Sequence, residues 1–394
     1  MHSQAPWWYR TRYPLLAGWA AVCFALCLPR TSGRPGIDWN TLDRGAQLLS
    51  QRHAPGGLTL YAHLPSIQIG PLTLALVRFL EVVAGGHAAL VVACFGAALV
   101  LPAIAILERA VVHETDAARR RTALCCLIGG LFVVPAWMQA TVVYSHPDDV
   151  LVVVATVGML AAVARRRPAV AGAILAAAVA AKPTALVLVP LLLAFNGRAR
   201  RDALAFGSLG LLAWLPFVVA DPRTLLAAQP QTLVQPGSGL AVLGLAGEAT
   251  PSALRLLQLV AALGLGWLAV RRGHWAAVPL IGFGVRVAID PGDWGYYAVT
   301  VVVAALAWHV LSDSNWIPWA AMVAWLAVGA PAGLGRHLQP HVPWSAQAVL
   351  RLTVPLALVA LVLCVEARRR SRSDAVPRLG LPHAEASLAQ STSG

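Results

Sequence analysis

The chain has 394 residues, of which 58% are hydrophobic and only 12% charged, with a net charge of +13 and a mean hydropathy of +0.68. A soluble domain carries about twice that share of charge, so a soluble globular protein is excluded and the recurring apolar runs mark a polytopic helical membrane protein. A nucleic-acid partner is excluded too, because the arginines stand in short clusters between apolar runs, as the positive-inside bias requires.

In lipid, backbone polar groups must be satisfied within each segment, so the fold class is all-α. Arg10 and Arg12 precede the first apolar run, 14–29, which lacks a small-residue cleavage site and reads as an anchor. The loop after it opens with Gly36-Ile37-Asp38-Trp39-Asn40-Thr41-Leu42-Asp43. The stretch from Trp39 to Ser50 is amphipathic, with Leu42, Ala46 and Leu49 on one face. Residues 71–84 form a second apolar run, shorter than the roughly 20 residues that a span needs and containing Arg78 and Glu81. Leu72, Leu76, Phe79, Leu80 and Val83 share a helical face behind Pro71, which predicts an interfacial helix on the outer leaflet.

Further arginine clusters follow at 119–121, 165–167, 198–201, 271–272 and 368–370. If all are cytoplasmic, an even number of crossings separates each pair. The spans are then 14–29, 88–107, 122–143, 148–164, 168–181, 183–196, 203–219, 253–270, 276–289, 296–311, 317–334 and 347–365. The expectation is a transmembrane bundle of about 12 spans in one domain, 1–367, with outer juxtamembrane helices after span 1. Residues 368–394 are expected to be a disordered cytoplasmic tail, and both termini cytoplasmic. Cys23, Cys27, Cys94, Cys125, Cys126 and Cys364 lie in apolar runs and read as small hydrophobes.

This topology gathers the unusual chemistry on the outer side. Asp38 is either an N-cap for the amphipathic helix behind it or a general base at the membrane surface. One carboxylate suffices if the leaving group is a phosphate, which departs without a proton. Asp43, next to Arg44, reads as a solvated helix charge. His146-Pro147-Asp148-Asp149 joins two spans: a Pro-Asp turn needs at most one carboxylate as a cap, and the remainder could hold sugar hydroxyls or a metal. Lys182 is the sole lysine of the chain and stands inside an apolar run; a snorkelling role competes with that of a phosphate partner. Arg286 lies four residues before Asp290, so an i,i+4 pair is the plain reading, although a charge within a span suggests function. Asp290, Asp293, Trp294, Tyr296 and Tyr297 follow in a dense group, whose aromatics suit either an interfacial belt or stacking on a sugar or prenyl chain. Arg336, His337 and His341 form a looser basic group.

Taken together, these residues resemble the polyprenyl-phosphate-sugar-dependent glycosyltransferases of the GT-C class, above all the actinobacterial mannosyltransferase-like membrane proteins. The resemblance covers roughly residues 10–200. Asp38 matches that family's acidic residue after the first helix, and His146-Pro147-Asp148-Asp149 with Lys182-Pro183 resembles its second acidic region. The family's Tyr-x-x-x-Pro-Pro segment is replaced by Tyr61-Ala62-His63-Leu64-Pro65 and Gly70-Pro71.

The resemblance implies an enzyme of the plasma membrane that moves mannose or a similar sugar from a polyprenyl-phosphate donor to an envelope glycolipid or polysaccharide on the outer face. Asp38 would be the catalytic base. Lys182, Arg286, Arg336 and His337 would hold the donor phosphate. His146, Asp148, Asp149, Asp290, Asp293, Tyr296 and Tyr297 would line the substrate site. No cofactor is implied, and a divalent metal stays open. The rival is a lipid or solute transporter, which calls for symmetric halves and mid-membrane charges.

Overall fold

The structure is a computed structural model that describes residues 6–28, 36–113, 115–228, 232–312, 316–331 and 343–374. Arg336, His337 and His341 lie outside the described residues. Those described are helical and turn segments, with a single isolated bridge between Leu233 and Ala249 and no strand.

Helix α1 (Trp7–Cys27) starts before the expected span and takes Arg12 into the fold, where its guanidinium forms a two-pronged contact with Glu108. Tyr13 donates to the same carboxylate at 2.8 Å, so Arg12 is more than a loop charge marking topology. Helix α2 (Trp39–Leu49) packs Trp39, Leu42 and Ala46 inward. Helix α3 (Pro71–Ala84) begins with proline at a first-turn position, where its missing N–H costs nothing. It buries Thr73, Leu74 and Val77 and turns Leu72, Phe79, Val82 and Val83 outward. Gly85, at φ 55°, ends it, and α4 (Ala88–Ala98) and α5 (Val100–Ala110) follow.

Helix α6 (Asp116–Met138) contains Pro135. That residue has no N–H for the Leu131 carbonyl, and the Trp19 indole of α1 fills the gap at 3.0 Å. The helix then widens into a π-turn at Gln139–Val143, directly before His146. Such widened turns are frequent at functional sites. Helices α7 (Pro147–Ala164) and α8 (Pro168–Ala181) each open on proline and run antiparallel against one another.

Pro183 confines Lys182 to extended backbone, as residues before proline require, and α8 ends there. Residues Pro183–Ala194 continue as a 3₁₀ helix. At about 2.0 Å rise per residue that geometry stretches a 12-residue segment to roughly 24 Å, against about 18 Å as an α-helix.

Helix α9 (Gly197–Leu212) carries Arg198, Arg200 and Arg201, and the expected span 203–219 breaks near Trp214. Helices α10 (Leu254–Arg271), α11 (Val278–Ala288), α12 (Tyr297–Leu311) and α13 (Trp344–Asp374) complete the main bundle. The backbone of α13 is helical to Asp374, so the first residues of the expected tail continue a helix, and 375–394 lie outside the described residues. Almost every residue of α11 and α12 is buried, which makes them the centre of the bundle.

Among the described residues, five helical stretches are long and apolar enough to cross a membrane: Pro71–Ala110, Asp116–Val143, Pro147–Ala164, Leu254–Arg271 and Trp344–Cys364. Shorter apolar helices occupy Pro168–Ala181, Pro183–Ala194, Trp275–Ala288, Tyr297–Leu311 and Trp319–Gly329. These observations support a helical membrane protein.

Candidate functional site

Residues 36–38 lie along the backbone that follows the π-turn. Ile37 N–H donates to the Val143 carbonyl at 3.0 Å, Asp38 N–H to that of Tyr144 at 3.2 Å, and Gly36 N–H to Ser145 Oγ at 3.0 Å. The approach is too close for a side chain at position 36, where a Cβ would sit 2.6 Å from Ser145 Oγ and 2.7 Å from backbone atoms. This docking carries Asp38 to His146, whose Nε2 lies 2.8 Å from Asp38 Oδ2. Asp38 occupies the N-cap position of α2, yet its side chain makes no capping hydrogen bond. One oxygen of its carboxylate is held by His146, and the cap reading falls away.

The antiparallel pairing of α7 and α8 sets the first turn of one beside the last turn of the other. Asp148 and Asp149, at the start of α7, therefore meet Lys182, at the end of α8. The ammonium lies 2.7 Å from Asp148 Oδ2 and 2.5 Å from Asp149 Oδ2. The position of α8 is fixed in turn by Gly70 N–H and Thr73 Oγ1, which both donate to the Ala181 carbonyl, at 2.8 and 3.1 Å.

His146 Nδ1 faces Asp148 Oδ1 at 3.1 Å and Asp149 Oδ2 at 3.5 Å. Burial opposes the imidazolium, but Asp148, Asp38 and Asp149 outweigh it and raise the His146 pKa to about 9. Both ring nitrogens then donate, each to a carboxylate. The Tyr296 ring stacks on the imidazole at a centroid distance of 3.8 Å.

His146, Asp148, Asp149 and Lys182 are all buried, whereas the Asp38 side chain is 28% exposed. The cluster thus presents one carboxylate to the outside and keeps the remainder in. Asp148 and Asp149, each about 1% exposed, have Lys182 and His146 as neighbours rather than an open substrate surface. Lys182 meets both of them, so an anion reaching its ammonium would share it with Asp148 and Asp149. Tyr296 and Tyr297 are interior, packed on His146 and under the Arg286 guanidinium, 4.4 Å from the Tyr297 ring, so neither forms part of an interfacial belt.

Arg286 is buried near the end of α11. The expected pair with Asp290 is loose, at 3.9 Å, because Arg255 of α10 takes that carboxylate at 2.7 Å. Arg286 Nε has no hydrogen-bond partner, and the same is true of Nη1 on the buried Arg351 of α13. Arg351 Nη2 reaches the Trp294 carbonyl at a long 3.4 Å. Asp293 is half-buried and its carboxyl is pushed up by burial, against the lowering influence of Arg351. The loop 232–250 runs over this region, with Gln235 Oε1 accepting from Asp293 N–H at 2.7 Å.

Arg255, Arg351, Tyr144 and Ser145 escaped the sequence reading. Arg255 and Arg351 carried the signal that singled out Arg286, a charge inside an apolar run. Asp43 sits apart, accepting from Gln47 Nε2 at 2.6 Å on the surface of α2.

His146, Asp148 and Asp149 also have the chemistry of a metal site, since one ligand atom from each lies within 4.8 Å of the others. Comparison with known proteins gives no match: no protein-family model, curated protein or solved structure aligns with the chain.

Proposed function

We propose that this chain is a membrane glycosyltransferase of the GT-C kind, moving a sugar such as mannose from a polyprenyl phosphate to an envelope glycolipid or polysaccharide. In this reading the chain crosses the plasma membrane about twelve times, with both termini cytoplasmic and the site at the outer face. The observation that carries it is Asp38: a part-exposed carboxylate with one oxygen held by a buried histidine and, among the described residues, no side-chain partner on the other.

The free oxygen of Asp38 takes the proton of the acceptor hydroxyl. The acceptor oxygen bonds to the anomeric carbon as the bond from that carbon to the phosphate oxygen breaks, and polyprenyl phosphate leaves as an anion. Arg286 and Arg351 support the donor phosphate, because each is buried with an N–H lacking an acceptor, and a guanidinium fork suits a phosphate. Lys182 assists indirectly by holding the acidic pair against His146.

A transporter reading draws on the buried ion network at the ends of α7 and α8, since intramembrane ionisable groups also serve as proton relays. Transfer from a synthetic polyprenyl-phosphate sugar to a membrane extract separates the two. Asp38→Asn keeps the shape and removes the base, so turnover should fall at least about a hundredfold, while Asp43→Asn stays near the wild type. Near-normal turnover in Asp38→Asn sinks the catalytic assignment. Unchanged envelope glycans with altered uptake in a deletion strain would replace the enzyme with a transporter.

A further inference from the structure

The ammonium of Lys182 occupies a position that invites comparison with a metal ion. It touches one oxygen from each of two adjacent carboxylates, and His146 turns Nδ1 toward the same two groups. An imidazole with two carboxylates is a ligand set for manganese or zinc. His146 also has the outer support typical of a metal-binding imidazole, since its second nitrogen is held by the Asp38 carboxylate.

A second observation concerns the pocket's remaining capacity. Asp149 Oδ1 is buried without a hydrogen-bond partner, so the lysine leaves part of the acceptor capacity of the pair unused. Three carboxylates, Asp38, Asp148 and Asp149, lie around His146 and Lys182, with the buried Arg286 guanidinium also acting on Asp149. With the lysine gone and His146 neutral, so that Nδ1 can ligate, the paired carboxylates of Asp148 and Asp149 would match a divalent ion. Lysine and metal compete for the same oxygens, so the pocket holds one or the other.

We propose that Lys182 is a built-in cation, filling a pocket in which His146, Asp148 and Asp149 would otherwise bind a divalent metal, so that the native chain binds none there. The proposal concerns the pocket alone and stands independently of the sugar-transfer reading. Its placement follows from chain geometry: the Lys182-Pro183 step ends α8 beside the first turn of α7 and delivers the ammonium to the acidic pair.

The test is Mn²⁺ binding to the purified full-length protein in detergent, read by electron paramagnetic resonance. Wild-type protein should leave added Mn²⁺ free. Lys182→Ala should bind about one ion per chain through the vacated carboxylates. The double variant Lys182→Ala, Asp149→Asn, which removes one of the paired carboxylates, should lose that ion and fold without it.

If Lys182→Ala unfolds when prepared without metal, preparation in Mn²⁺ should recover a monodisperse helical protein. The proposal is overturned if wild-type protein binds Mn²⁺ in a manner abolished by Asp149→Asn. It is equally overturned if Lys182→Ala neither binds Mn²⁺ nor is recovered by it.

Discussion

His146 is where single-residue electrostatics can be read most directly. Its ring lies between Asp38 on one side and Asp148 and Asp149 on the other, with Lys182 and the Tyr296 ring also near. Burial alone would expel the imidazolium; the carboxylates reverse that and raise the pKa to about 9. A raised pKa means that the charged histidine stabilises the fold fully below its unfolded value near 6.5. The contribution, on the order of 3 kcal/mol, is lost as pH rises through about 9. Thermal unfolding of wild type and His146→Gln across pH 6–10 checks this. The gap between the two should be widest at the acidic end and narrow above pH 9, and a constant gap would remove the charge from the account.

At the scale of elements, the site is assembled by close backbone approaches. Helix α2 is anchored through the 36–38 strip, and that strip depends on Gly36 lying against Tyr144 and Ser145. A methyl group there meets backbone atoms at 2.7 Å, which cannot swing aside as a long side chain can. Gly36→Ala should therefore move Asp38 off His146 and, on the proposed function, cut sugar transfer at least about tenfold, as a misplacement of reacting groups by an ångström can do. The helical core beneath is untouched, so the protein should still fold, with a modest drop in unfolding temperature from the loosened strip. Gly18→Ala in α1, where nothing lies within 4 Å, is the control and should be silent. Equal activity in both variants would show that the strip does not position Asp38.

On the scale of the whole molecule, the arginine clusters predict which side of the membrane each end of the bundle faces. If the arginine clusters are all cytoplasmic, parity requires 71–84 not to cross. The outward apolar face of α3 and its break at Gly85 fit a helix bedded in one leaflet. Cysteine labelling on intact cells decides the matter in a background stripped of the six native thiols, of which Cys94 and Cys364 are exposed. Gly86→Cys should react with an impermeant reagent from outside, and Arg119→Cys should not. Labelling of position 119 from outside would put a crossing through 71–84 and separate α3 from the outer face.

The sequence by itself determined that the chain is helical and apolar, because composition and apolar run length depend on no contact with another element. It also marked Asp38, His146, Asp148, Asp149, Lys182 and Arg286, since polar groups beside or within apolar runs are costly and stand out. Pro71 showed where α3 begins, because a first-turn proline is a local preference. Only the tertiary structure decided the partners. Lys182 stands out in the sequence as a lone lysine, and the antiparallel packing of α7 and α8 is what sets it on two aspartates. Asp38 reads equally as a cap or a base until a pairing of residues 36–38 with 143–145, more than a hundred positions apart, sets it on His146. Arg286 and Asp290 match by spacing, yet Arg255, some thirty residues earlier, wins the carboxylate. Which charge meets which depends on distances through space, and those are fixed by helix packing.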